Sequence, residues 1–312
     1  MSGRSERVNG AVRLVPPTVT GPAEGGPSTV VARHETQIMG KTFSFCLNAP
    51  EETNRREVSV ALAAAVAELR AVEYTFSPLR EESLVSMLRR DELRPDAYPP
   101  PLADVMSRCV DMRAATEGWF DAWAVPGGFD PGGMVTGWGI ERAAALIRSA
   151  GITSYSISGG GDILVSGYAP DGNPWQVDLH DTRLELTEGA VATSCPSPRG
   201  VRVVNPHSGE PITSPASAAV VGPDLCVADA YSTALYAAGP IGLGWFSTVD
   251  GYTGYLLGDD RTVPEPVSPV AETVVETVID AAPATAPVRT NRNVSPARTP
   301  RQRMIVVTGT KT

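Results

Sequence analysis

Apolar positions recur with a helical period between residues 56 and 76. Leu62, Val66, Leu69 and Phe76 fall on one face at steps of four, three and seven. The same reasoning predicts helices over 102–115 and 140–150, with Gly151 placed where a helix C-cap glycine belongs. Alternation of apolar and polar residues predicts strands over 42–47, 152–157, 163–165, 175–179 and 216–221, and another helix starting near Ala228. The strands at 152–157 and 163–165 flank a glycine turn. Helical and strand patterns are interleaved without a repeat, which predicts an α+β chain with a single mixed α/β domain.

Composition narrows the picture at the ends. Residues 1–28 are polar, rich in glycine and proline and without period, so they are expected to be a disordered arm. Residues 261–312 contain no Phe, Trp or Tyr and are read as a second disordered tail, Pro/Arg-rich, with an acidic-apolar stretch at 270–279 able to form a transient strand or helix. The folded domain is then 29–260. The chain has 312 residues and a net charge of −9, which argues against a chain-wide nucleic-acid role. No apolar run approaches the ~18 residues of a transmembrane helix, so membrane insertion is not expected. Four cysteines stand singly at 46, 109, 195 and 226, with no paired spacing for zinc or a disulfide framework. Together with an N-terminus lacking an apolar signal region, they make the cytoplasm the expected location.

Three segments carry candidate chemistry. In Phe129–Arg142, FDPGGMVTGWGIER, glycines ahead of a helix let backbone N–H groups approach an anion; the plainer reading is a loop with Asp130 as a cap. Ser158-Gly-Gly-Gly-Asp162 permits close backbone approach, with Asp162 otherwise a turn residue. Asp229 and Thr233, four apart, share one helical face and offer a carboxylate and a hydroxyl to a hard cation; otherwise Asp229 is an N-cap and Thr233 only packs. There is no P-loop, and no G-x-G-x-x-G lies between a strand and a helix.

These segments occur in order with Met39-Gly-Lys-Thr-Phe43, Glu117-Gly-Trp-Phe-Asp121, Pro174-Trp175, Ala192-Thr-Ser194 and Asn205-Pro-His-Ser-Gly209. Together they resemble the ApbE family of FAD:protein FMN transferases over roughly residues 33–258. The resemblance implies an ApbE-like fold and a flavinylating transferase. Such an enzyme takes FAD and a divalent cation, usually Mg2+, and moves FMN from FAD to a Thr or Ser hydroxyl of an acceptor protein, releasing AMP. It implies a metal site of Asp229, Thr233 and the Gly133 carbonyl. It also implies FAD contacts from Met39, Trp119, Phe120, Asp121, Asp130 and Val203.

The chain departs from the family pattern at ligand-facing positions. Thr136 stands where a lysine is usual, removing a phosphate-facing cation that Arg89 or Arg202 would have to replace. Arg202 stands where a histidine, the candidate base, is usual; arginine keeps its proton but binds phosphate well, and His207 becomes the alternative base. Leu79 replaces an aromatic that stacks on flavin, Arg89 replaces an asparagine, and Cys195 replaces a glycine. The alternatives to transfer are a non-catalytic FAD- or nucleotide-binding homologue and an FAD pyrophosphatase.

Overall fold

The computed structural model describes residues 13–14, 29–179, 182–196, 203–213, 216–259, 274–279 and 302–308. In chain order the strands are β1 (Arg13–Leu14), β2 (Thr29–Ile38), β3 (Lys41–Pro50), β4 (Ser154–Gly159), β5 (Asp162–Ser166), β6 (Trp175–Leu179), β7 (Thr182–Leu186), β8 (Glu188–Ser194), β9 (Ser217–Gly222), β10 (Thr253–Asp259), β11 (Val274–Ile279) and β12 (Gln302–Thr308). The helices are α1 (Arg55–Phe76), α2 (Leu84–Arg89), α3 (Pro100–Ala115), α4 (Val135–Ser149), α5 (Leu225–Ala238) and α6 (Gly242–Phe246).

Nine strands form one antiparallel sheet in the order β11-β12-β10-β9-β8-β5-β4-β3-β2. A smaller antiparallel sheet orders β1-β6-β7. Side chains alternate across the large sheet, and each face has its own core. Phe43, Phe45, Leu47, Leu164, Ala190, Ala192, Ala218 and Val220 face the helices, where they meet α1, α4 and α5. Ile163, Val165, Val191 and Ala219 face the other way, onto Trp175, Val177 and Leu179 of the small sheet. The result is helices on one face of the large sheet and a small sheet on the other.

Most predicted elements are present, with boundaries moved by local chemistry. α1 starts at Arg55 because the Asn54 side chain accepts the Arg56 N–H at 2.9 Å; it ends at Ser77, held extended by the following proline. Its buried stripe is Val58, Ala61, Ala65, Leu69, Val72 and Phe76, whereas Leu62 and Val66 are only half-buried. The alanines, too small to weigh in the periodicity, carry the closest packing.

Two expectations need correction. The helix expected over 140–150 begins at Val135, so Thr136, Gly137 and Gly139 are helical and buried. The glycines are there for close packing. A Cβ on Gly137 would stand 2.5 Å from the Leu225 carbonyl oxygen, and one on Gly139 would stand 3.2 Å from Leu69 and Val72 of α1. The helix expected near Ala228 begins at Leu225, because Asp224 caps it by accepting the Val227 N–H at 2.9 Å. Gly151 does follow α4 at φ +80°. Within the segments read as tails, β1, β11 and β12 are described; β11 lies inside the acidic-apolar stretch at 270–279, and β12 pairs with β10.

Candidate active site

Two tight turns build one end of the large sheet. Met39 and Gly40 join β2 to β3, and Gly160 and Gly161 join β4 to β5; all four have positive φ, as two-residue hairpins require. Because β3 and β4 are antiparallel with Phe43 opposite Gly159, the turns lie side by side. Lys41, which begins β3, and Asp162, which begins β5, share the helix-facing parity of Phe43 and Leu164. Both therefore point at the helical layer.

Each glycine of Ser158–Asp162 makes room for a particular side chain. A Cβ on Gly159 would run into the Phe43 ring, one on Gly160 into the Lys41 stem, and one on Gly161 into the Thr193 hydroxyl. The close approach expected from this motif is thus made to the protein's own side chains.

α5 supplies the other wall. Ala190, Ala192 and Ala218 on the sheet let it sit close, so Thr233 Oγ1 reaches Ser194 Oγ at 3.2 Å and Ser194 Oγ reaches Ser232 Oγ at 3.0 Å. Thr233 Oγ1 also donates to the Gly133 carbonyl at 3.2 Å. A Cβ on Gly133 would stand 2.7 Å from that hydroxyl, so any larger residue would push Gly133 off α5. Asp229 is not an N-cap of its own helix. From inside α5 its carboxylate accepts the Gly137 N–H of α4 at 3.2 Å. The N-terminus of α4 has no side-chain cap of its own, and Asp229 provides one from outside.

Asp229 and Asp162 are 5% and 2% exposed. Burial pushes both carboxyls up; the Asp162 charge raises Asp229 further, while Lys41 and backbone N–H donors pull the other way. Asp162 accepts from Thr193 N at 3.4 Å, and Lys41 Nζ donates to Thr136 Oγ1 at 3.0 Å. Two buried carboxylates balanced by one nearby ammonium make a centre that is short of positive charge. The Asp229 carboxylate, the Thr233 hydroxyl and the Gly133 carbonyl are all hard oxygen donors, which suits Mg2+ better than softer metals. Among the described residues no cluster of three or more His, Cys, Asp or Glu side chains could hold a metal.

A second group lies beside this centre. Asp130 N donates to the Ala122 carbonyl at 2.7 Å, tying the glycine loop to the Trp119–Asp121 segment. Asp130 does not cap α4. Its Oδ1 accepts the Gly132 N–H at 2.9 Å and its Oδ2 pairs with Arg89 at 3.3 Å; Arg89 also donates to the Phe129 carbonyl at 2.9 Å. Asp121 accepts the Trp123 N–H at 2.8 Å and pairs with Arg113 at 3.0 Å. The Trp119 and His207 rings meet edge to face at 4.4 Å.

The structure therefore brings together Gly133, Thr136, Asp229 and Thr233 as one centre, and Trp119, Asp121, Asp130 and His207 as its flank. Met39 is half-buried in its turn, its N–H on Glu73 Oε1 at 2.8 Å. Val203 packs half-buried against the larger core, and its carbonyl accepts the Ile212 N–H at 2.8 Å. Phe120 is buried in that core, and Leu79 is 92% exposed, so neither side chain joins the centre. Arg202 lies outside the described residues. Sequence reasoning missed Lys41, read only as part of a motif, and undervalued Asp162. The signal available was parity: each starts a strand, in step with the apolar residues that face the helices. A cleft of about 350 Å³ opens at the C-terminal end of α5, lined by Asn205, Glu210, Tyr236 and Leu256 among others. It is separate from the acid pair, which lies toward the other end of that helix.

The fold and this centre define a class: a layered α/β domain with an oxygen-rich polar centre between a sheet end and two helices. Residues 123–252 match the ApbE family. The chain is 30% identical over 124 residues to the FAD:protein FMN transferase of Vibrio cholerae, across 34% of this chain and 37% of that protein. It is 26% identical over 122 residues to the protein of the same name from Klebsiella pneumoniae, across 33% and 35%. The matched region thus spans little more than a third of either relative. The fold superposes on the flavin transferase ApbE of Vibrio cholerae with a TM-score of 0.64 at 18% identity, over 75% of this chain and 96% of that one. On the apo flavinyl transferase ApbE of Pseudomonas stutzeri it gives 0.65 at 19% identity, over 73% and 91%.

Proposed function

We propose that this protein is an FAD:protein FMN transferase that uses Mg2+ and releases AMP. The observation that carries the reading is the convergence of Asp229, Thr233 and the Gly133 carbonyl beside the α4 N-terminus. That arrangement supplies cation ligands and the positive end of a helix dipole in one place. In the reaction, the hydroxyl oxygen of an acceptor Thr or Ser attacks the phosphorus that bears riboflavin. The bond from that phosphorus to the bridging oxygen breaks, and AMP leaves with that oxygen. A divalent cation held by Asp229, Thr233 and Gly133 would neutralise charge on the phosphates.

This chain's own residues do the rest. Asp130, fixed by Arg89 and Gly132, shapes the glycine loop. Trp119 and Asp121 flank the FAD. His207, exposed against Trp119, is assigned the hydroxyl proton, and Arg202 a phosphate contact. Among the described residues no helix is long and apolar enough to span a membrane. The cytoplasm remains the proposed location.

The test is to incubate the protein with FAD, Mg2+ and a flavin-acceptor domain, following AMP by chromatography and the acceptor by intact mass. Acceptor-dependent AMP together with covalent flavin on the acceptor is expected. AMP with no flavin on the acceptor would mean a pyrophosphatase. FAD binding with no AMP would mean a non-catalytic flavin-binding homologue.

A further inference from the structure

Lys41 belongs to none of the roles above, yet the fold makes a place for it. It opens β3 on the helix-facing side, and its half-buried stem crosses the β4–β5 turn where only a glycine leaves space. Its ammonium ends 3.0 Å from Thr136 Oγ1, in the first turn of α4. The same charge acts on Asp162, Asp229 and Cys195, so it lies among the residues of the acid centre. An ammonium has three donors, and Thr136 takes one. Of the two arginines considered for this job, Arg202 lies outside the described residues, and Arg89 is already spent on the Phe129 carbonyl and Asp130. Adding a divalent cation to two carboxylates and one ammonium leaves a net positive centre beside the N-terminus of α4, which suits a pyrophosphate.

We propose that Lys41 is a phosphate-binding cation of this site, reaching the pyrophosphate of the bound dinucleotide from the sheet side, in the space that Thr136 leaves on α4. The inference rests on the transferase reading only in taking the ligand to be a dinucleotide such as FAD. The charge is thus delivered from a hairpin instead of from the helix.

The test uses the full chain with Mg2+ and calorimetric titration of FAD, ADP and, as a phosphate-free control, adenosine. Lys41→Gln is expected to weaken FAD and ADP by about tenfold or more, the range of a lost charged hydrogen bond, and to leave adenosine within about twofold. The salt dependence of ADP binding should flatten in the same variant. The exchange variant Lys41→Thr with Thr136→Lys should recover most of the ADP affinity, since the two side chains meet end to end. Lys41→Gln that binds ADP like the wild type overturns the proposal. So does an equal loss for ADP and adenosine, which would mark Lys41 as structural. Wild-type protein that binds neither FAD nor ADP overturns the transferase reading along with it, whereas wild-type binding with an indifferent Lys41 overturns this inference alone.

Discussion

Asp162→Asn should make the cation-free protein more stable at neutral pH. Asp162 is buried, and desolvation carries its carboxyl from the ordinary value of 3.8 to about 6 against the pull of Lys41 and the Thr193 N–H. Between those values the folded state keeps a proton that the unfolded chain has lost. Stability from this group is therefore fully present below the lower value and declines as pH rises through the upper one. At pH 7 the cost of forcing the buried carboxylate to ionise is on the order of 3 kcal/mol. Asparagine keeps an oxygen to accept from Thr193 N and carries no charge. Urea unfolding at pH 4.5, 6 and 7.5 is the assay, with EDTA and then with Mg2+. The wild type should lose stability across that range. Asp162→Asn should lose less and gain on the order of 2–3 kcal/mol over the wild type at pH 7.5, falling to about 1 kcal/mol at pH 4.5. Mg2+ should restore wild-type stability at pH 7.5 by binding the folded state, and should do less for the variant. A variant destabilised equally at pH 4.5 and 7.5 would refute the reasoning, because ionising the buried carboxyl would then carry no cost.

Other outcomes follow from the same geometry. Asp229→Ala removes the proposed cation ligand and the acceptor of the Gly137 N–H; AMP release should fall at least about a hundredfold, and the Mg2+-dependent rise in melting temperature should vanish. His207→Gln should cut acceptor flavinylation by roughly 10²–10⁴-fold while FAD affinity stays within about twofold; an unchanged rate would remove His207 as the base. Gly160→Ala strains a position at φ +66° and drives a methyl into the Lys41 stem, so ADP affinity should fall with a stability loss of about 1–3 kcal/mol, measured by titration and denaturant unfolding. Gly137→Ala puts a methyl 2.5 Å from the Leu225 carbonyl and should separate α4 from α5, lowering stability by about 2 kcal/mol or more and weakening Mg2+ binding through the Asp229 shift.

Local pattern determined the elements, and the third dimension determined their use. The period of α1, the glycine after α4 and the alternation of β6 were all legible, because helix and strand periodicities are properties of neighbouring residues. The metal candidates Asp229 and Thr233 were legible as one helical face for the same reason. The start of α4 was not. Thr136, Gly137 and Gly139 look like a loop until α1 and α5 press against them, and a glycine's tolerance for close packing leaves no trace in propensity. Asp229 read as a possible cap of its own helix and proved to serve α4, an assignment that depends on how two helices cross.

Lys41 and Asp162 show the division most plainly. In the sequence each stands just ahead of a predicted strand, and the two are 121 positions apart. Only the pairing of β3 with β4 sets their two hairpin turns side by side, and only the shared strand parity turns both side chains toward the helices. Charges that far apart in the chain acquire their meaning from burial. In water the pair would be screened and ordinary; buried between the sheet and α4 and α5, with Asp229 beside it, it becomes part of a centre that has one more carboxylate than ammonium.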